Sequence, residues 1–331
     1  MGDVAMTSPI VKALSEQHKS IKITVVSRPF FKPLFDNIPN VTFFAIDLNQ
    51  RHKGFLGLFR LFFDLKKLNI DAFADLHNVL RSKMVRLLFV LTGKKTAATD
   101  KGRSQKKALI RSVNKIFKPV SSMFERHLET FQKLGLDINL ENPTFYTFPL
   151  NAEISAITGE KTNHKWIGIA PFAQYDSKVY PLDLMQQVVD EISQNPSFKI
   201  FLFGGGAKEI ALLNSLASSH KNCLVVAGKL DFTQEIELIS NLDVMLSMDS
   251  GNGHIAAMVG KKVITLWGAT HPYAGLMPFQ QPLENSLTSN RDLYPLLPTS
   301  VYGNKNIKGY KEAMRTITPE AILKKIHSNL D

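Results

Sequence analysis

Five residues in the stretch "VMLSMDSGNGHIAAM" (Val244 to Met258) have the types and spacing to hold an anion: Asp249, Ser250, Gly251, Gly253 and His254. An apolar run ends at Asp249 and a small-residue helical run begins just after it, so the set falls at a strand-to-helix junction. A helix N-terminus carries unpaired backbone N–H groups and a partial positive charge. Glycines there let phosphate oxygens approach the backbone closely. Ser250 adds a hydroxyl donor, and His254 adds another within the first turn or so. Together they suit a phosphate or a diphosphate. Asp249 would repel an anion, so it holds sugar hydroxyls or orients Ser250 and the loop. The competing reading is an ordinary helix start, capped by Asp249 or Ser250.

Two further loops fall on the same sheet edge. "APFAQYDSKVYP" places Lys178 between a strand and a Pro-started helix, where a cation would face the same anion. "FGGGAKE" (Phe203 to Glu209) follows the next strand. It lacks G-x-G-x-x-G spacing, so it is not a dinucleotide fingerprint. Glu209 there suits ribose hydroxyls, or simply favours the positive end of its helix. Asp3 reads by itself as a helix-start carboxylate. There is no H-E-x-x-H and no D-x-D between elements suited to a metal, so neither metal nor cofactor is expected.

The elements that must position these residues follow from pattern. In the first half, strands are expected at Ile21 to Ser27, Val41 to Asp47 and Ala72 to His77. Helices are expected at Pro9 to Gln17, Leu56 to Leu68, Leu80 to Leu91, Gln105 to Phe117 and Ser121 to Leu134. "ENPTFYTFPLNAE" (Glu141 to Glu153) reads as a linker. Strand–helix alternation then restarts and continues through "KVITLWG". This pattern argues for parallel sheets covered by helices on both faces. Ligands in such sheets sit beyond the carboxyl ends of the strands. The expected division is 1–150 and 151–331, with an amphipathic terminal helix over 318–330.

Composition bounds the class. The chain has 331 residues, 44% hydrophobic and 21% charged, as soluble globular proteins do. A single cysteine, Cys223, rules out an intramolecular disulfide and any C-x-x-C site, and fits a cytoplasmic compartment. No stretch reaches the length of a membrane span. Residues 1–150 hold 24 Lys and Arg against 12 Asp and Glu, whereas residues 151–331 hold 16 against 17. The whole excess of +11 therefore lies in the first half. Such a half meets something anionic, or is merely a solvated basic surface.

"MDSGNGHIAAMVGKKVITLWGATHP" resembles the D-[ST]-G-x-x-H-x-A-A segment of the ADP-heptose:lipopolysaccharide heptosyltransferase family. "MGDVAMTSPIVKAL" resembles that family's L-G-D-V-x-x-T-x-P element, and "SKVYP" its K-x-W-P element, with Tyr180 in place of Trp. The resemblance implies an α/β chain of two facing Rossmann-like domains with parallel sheets, the GT-B arrangement. It implies an inverting, metal-independent sugar transfer from an ADP-activated donor, heptose by preference, to an anionic lipopolysaccharide-core-like glycolipid. It assigns Lys178, Ser250, Gly251 and His254 to the diphosphate, Glu209 to ribose, Asp249 to the donor sugar or its pocket, and Asp3 to the general base. Another nucleotide-sugar donor is the alternative. The acceptor side would face the anionic inner membrane surface, and no nucleic acid is expected.

Two features depart from the family. The family's first strand lies just before the Gly-Asp element, and this chain begins at Met1-Gly2-Asp3, so that strand is expected to be missing and the true start to lie upstream. "GATHPY" puts His271 where an acid is frequent, which bears on the donor sugar. Outside the resemblance, two other classes compete. A nicotinamide-dependent enzyme would need a glycine fingerprint, and Tyr175 and Lys178 are one residue too close for a Tyr-x-x-x-Lys pair. A nucleic-acid binder would use "KGRSQKKALIRSVNKIFK" (Lys101 to Lys118). That stretch is more simply an amphipathic helix with a basic side.

Overall fold

The computed structural model describes residues 1–305 and 307–330. They divide into two compact units. Asp3–Arg103 and Ser121–Thr144 form the first; Ser104–Val120 and the chain from Phe145 onward form the second.

The first unit contains α1 (Gly2–Ala5), α2 (Ser8–Gln17), β1 (Ile23–Ser27), β2 (Val41–Ala45), α3 (Gly54–Lys66), β3 (Ala72–Asp75), α4 (Leu80–Leu91) and β4 (Lys95–Ala98). After α5 (Arg103–Ile110) the chain returns to it as α6 (Met123–Gln132). Ser122 and Glu125 start α6 with a reciprocal capping box. Both strand pairs are parallel, β1 with β2 and β3 with β4, and they form two separate two-stranded sheets. The same two helix layers clamp both sheets. Leu58, Leu61 and Phe62 of α3 and Val85 and Phe89 of α4 pack against Val26 of β1 and Phe73 of β3. On the opposite face Ile10 and Leu14 of α2 and Phe131 of α6 pack against Ile23 and Ala74. β1 and β3 each have one strand neighbour, and every residue of β1 is only half-buried.

The second unit adds α7 (Ala152–Thr158), β5 (Lys165–Ala170), α8 (Leu182–Ser193), β6 (Phe198–Leu202), α9 (Gly206–Ala217), β7 (Cys223–Val225), α10 (Phe232–Ser240), β8 (Val244–Met248), α11 (Gly251–Met258), β9 (Lys262–Trp267), β10 (Ser286–Thr288) and α12 (Pro319–Leu330). One six-stranded sheet runs β10-β9-β8-β5-β6-β7, with every pairing parallel. All of β8 is buried, as an apolar run without alternation requires when helices cover both faces. Cys223 lies in β7, and burial pushes its thiol up to about 12, so it is a core residue and not a nucleophile. α12 packs on α8 and the sheet, with Ile322 and Ile326 wholly buried in that core.

Several elements differ from the sequence expectations. The strand Lys95–Ala98 and the helix Ala152–Thr158 were not foreseen, because "KTAA" is too short and too weakly apolar to register and "ENPTFYTFPLNAE" obscures the helix that its last residues begin. The helix expected over Gln105–Phe117 stops at Ile110. Its remainder turns away, and Lys115 Nζ donates to the carbonyls of Leu109, Leu296 and Pro298 at 3.0, 2.9 and 2.7 Å. This stretch therefore belongs to the second unit, so the division is not a single cut at residue 150. With Lys106 also buried, two of its cations are withdrawn from the basic nucleic-acid-binding face that the sequence offered.

Candidate active site

In the second unit, β5 and β8 are neighbours although β6 and β7 lie between them in the chain. The chain builds outward from β5 through β6 to β7, then crosses back to β8 and builds the other way. A parallel sheet opens a crevice at such a reversal, beyond the carboxyl ends of the two strands. The loop after β5 carries Lys178 in a short 3-10 turn, Asp176–Lys178. The loop after β8 carries Asp249 and Ser250.

These loops meet. Lys178 Nζ donates to Asp249 Oδ2 at 3.1 Å, and the two side chains are only 12% and 7% exposed. An ion pair this far from water holds only while both partners are present; removing one strands the other charge. The neighbouring backbone aims the lysine. Ser177 Oγ donates to the Gly303 carbonyl at 2.6 Å, and Ala269 N donates to the Ser177 carbonyl at 3.0 Å. Gly303 has φ +84°, and a Cβ there would lie 2.6 Å from Cγ and Cδ of Lys178. A Cβ on Gly268 would lie 2.4 Å from the Ser177 carbonyl oxygen. The lysine loop is thus seated against two glycines that the sequence reading did not single out. Gly268 stood inside a stretch noted for other reasons. Gly303 carries no local signal, since its contact with Lys178 spans 125 residues.

Ser250 is the N-cap of α11, with φ −146° and ψ 177°, yet its side chain does not cap the helix. Its Oγ lies 3.1 Å from Ser247 Oγ instead. Asp249 is engaged by Lys178. The ordinary-cap reading therefore fails for Ser250, whose side chain accepts no hydrogen bond from the first turn of α11. Gly253 lets the helix lie close on β8: a Cβ there would stand 3.2 Å from Ser247 Oγ. His254 follows on the first turn and is buried.

Glu209 sits one strand further out, half-buried in the first turn of α9. Its Oε2 accepts from Gly205 N at 2.8 Å and so closes the glycine loop over its own helix start. Tyr180 is core: its hydroxyl donates to the Ile317 carbonyl at 2.7 Å, and burial pushes its pKa up. His271 is also buried, with Nδ1 accepting from Tyr273 N at 3.1 Å and its ring edge-on to Phe117 and Tyr273.

Asp3 belongs to the first unit and is exposed, on α1. Positive and titratable groups surround it. Burial pulls the Met1 ammonium, His77 and Lys101 below their ordinary values, and the negative charge of Asp3 opposes that in all three. His77 and Lys101 come from loops after β3 and β4 and were not singled out in the sequence. Among the described residues no group of His, Cys, Asp and Glu is arranged to hold a metal ion, and no helix is long and apolar enough to cross a membrane.

Residues 58–307 match the sequence model of glycosyltransferase family 9 (heptosyltransferase). The chain is 26% identical to lipooligosaccharide heptosyltransferase 2 of Haemophilus influenzae, over all of this chain and 96% of that one. It is 24% identical to lipopolysaccharide heptosyltransferase 3 of Escherichia coli, over 81% of this chain and 80% of that one. Among solved structures, a family 9 glycosyltransferase from Veillonella parvula superposes with a TM-score of 0.76 at 16% identity, covering 100% of this chain and 94% of the other. An Escherichia coli heptosyltransferase solved with ADP superposes with a TM-score of 0.68 at 17% identity, covering 99% and 97%. The fold is that of these GT-B enzymes.

Proposed function

The chain belongs to glycosyltransferase family 9, the heptosyltransferase family, and from that premise we propose that it transfers heptose from ADP-heptose, with inversion, to an anionic lipopolysaccharide-core-like glycolipid. The single observation that carries the donor half is the Lys178–Asp249 pair beside the uncapped start of α11, at the reversal of the sheet. The choice of ADP is supported by the Escherichia coli heptosyltransferase solved with ADP and by another structure of it with ADP-2-deoxy-2-fluoro heptose. The lipopolysaccharide acceptor is supported by what the relatives are named for.

In this reading the diphosphate sits on the N–H groups at the start of α11, with Ser250 and His254 as further donors. Lys178 shares its charge between Asp249 and the diphosphate. Asp249 thereby contacts or shapes the sugar pocket, and Glu209 offers its other oxygen to ribose. A sugar hydroxyl is a poor nucleophile, so Asp3 takes its proton as the oxygen attacks C1 from the face opposite the diphosphate. A positioned base of this kind is worth about 10²–10⁴ in rate. The bond from C1 to the diphosphate breaks, and the charge arriving on ADP is met by fixed dipoles and a cation. Each such donor is typically worth about 10²–10³.

A thermal-shift titration with ADP, UDP, GDP, CMP and NAD tests the donor site. Selective stabilisation by ADP, lost in His254→Ala, is expected. Asp3→Asn is expected to keep the ADP shift while turnover of ADP-heptose on a glycolipid acceptor falls at least about 10²-fold. A selective UDP or GDP response would replace the donor. No response from a well-folded sample would overturn the diphosphate reading.

A further inference from the structure

We propose that Lys101 grips an acid group of the acceptor beside Asp3, and that Arg126 is the positioning residue that holds it there. The proposal rests on the acceptor reading above and concerns the first unit alone. Lys101 stands in the turn after β4, half-buried, and makes no hydrogen bond or ion pair among the described residues. Burial pulls its amine below the ordinary value. Lys115 loses water too, but three carbonyls offset that loss. Lys101 has no such partner in the chain, so the compensating group is an anion brought by a ligand. The charge of Asp3 reaches both Lys101 and His77, so the three groups share one region at the carboxyl ends of β3 and β4.

A buried scaffold fixes the turn. Arg126 of α6 is 4% exposed. Its Nη1 donates to the Asp100 carbonyl and to Asp100 Oδ2, both at 3.3 Å, and its Nε donates to the Ser121 carbonyl at 3.2 Å. Asp100 Oδ1 accepts from Gly102 N at 3.0 Å and closes the turn over Lys101. Gly102 has φ +59°, and a Cβ there would lie 2.3 Å from Arg126 Nη2, so the turn is seated directly on the guanidinium. One helical turn further along α6, Thr130 Oγ1 lies 2.8 Å from Thr99 Oγ1, both wholly buried. The loop after β3 is tied to the same place. Asn78 Nδ2 donates to the Thr99 carbonyl at 2.8 Å, and Asn78 N donates to Asp75 Oδ1 at 2.6 Å. Asp75, Asn78, Thr130 and Arg126 thus fix the two loops that carry His77 and Lys101. Such support is what a binding group held in one geometry needs. Loop anchoring alone would explain Arg126, but not a half-buried ammonium left unpaired at the turn it anchors.

Titration calorimetry with a deacylated lipopolysaccharide-core oligosaccharide tests it, using the native oligosaccharide, a dephosphorylated form and a carboxyl-reduced form. The parent should bind at least one treated form about tenfold more weakly than the native one, which identifies the acid as phosphate or carboxylate. Lys101→Met should bind the native form about tenfold more weakly and no longer distinguish it from the treated forms. Arg126→Met and Asp100→Ala should each weaken native binding as well. In the Lys101→Met background neither should cost anything further, because a positioning residue acts only through the group it holds. Melting temperature and the ADP shift, read on the same samples, separate misfolding from loss of the site. The Asp100 side chain is 69% exposed, so Asp100→Ala reads the turn even if Arg126→Met unfolds. The proposal is overturned if Lys101→Met tells the three forms apart as the parent does, if the losses add in the double variants, or if the parent binds all three alike. If the parent binds none of them while ADP still shifts its melting, the acceptor reading fails and takes this proposal with it.

Discussion

Burial, and then the charges of Arg291 and Lys115, pull the His271 imidazole down to about 4. The neutral ring accepts from Tyr273 N, a role that protonation at Nδ1 would end. In the unfolded chain a histidine titrates near 6.5. The folded value is lower, so the contribution to stability is complete above about pH 6.5 and is lost as pH falls from there towards 4, where the folded form protonates too. Glu235 works in the opposite direction. Burial raises it to about 7, so its contribution is lost as pH rises from the ordinary carboxylate range to 7. His271→Asn keeps an acceptor for Tyr273 N and cannot titrate, and Glu235 is common to both proteins. Between pH 7 and pH 5 the parent should therefore lose about 2 kcal/mol more than His271→Asn in urea melts. Equal losses would mean that the ring is charged in the folded protein.

At the scale of elements, the site depends on how three connections are seated. The reversal between β5 and β8 brings two loops together, and a third, ending at Gly303, closes against the lysine stem. Gly303→Ala combines a left-handed backbone with a methyl 2.6 Å from Lys178 Cγ and Cδ. It should cost about 1–2 kcal/mol of stability and, by displacing Lys178, weaken ADP binding about tenfold. Calorimetric titration of the purified variant reads both effects. Unchanged affinity despite lower stability would separate Lys178 from the diphosphate. Similar logic holds for Gly268, where the obstacle is backbone and cannot swing aside.

At the scale of the whole molecule, the chain order and the units do not coincide. Residues 104–120 fall within the basic first half of the sequence and yet complete the second unit. Phe117 is the centre of that attachment: the Arg291 guanidinium lies 3.4 Å above its ring, and the His271 and Tyr273 rings lie at 5.0 and 4.8 Å. Phe117→Ser should lower the melting of the second unit by about 1–2 kcal/mol, through lost stacking and cation–π contact. Hydrogen exchange would see amides of the 268–303 region lose protection. If only the first unit loosened, the segment would belong where its position in the chain suggests.

Much of the fold was legible in order: strands such as Val244–Met248 and helices such as Leu80–Leu91 emerged with nearly the observed bounds, because continuous apolar runs and helical periodicity are local properties. The junction of Asp249, Ser250 and the glycines was legible for the same reason, as was the family. Other features were decided only by tertiary structure. The Lys178–Asp249 pair spans 71 residues and exists because the strand order reverses between β5 and β8. The same sequence reads equally well for a sheet in another order, so neither the pairing nor the glycine against the lysine stem could be inferred from spacing. The attachment of residues 104–120 was hidden because a lysine that donates to three carbonyls looks, in the sequence, like any solvated lysine. Periodicity records which face of an element is apolar; only packing records what that face, or a lone charge beside it, finally meets.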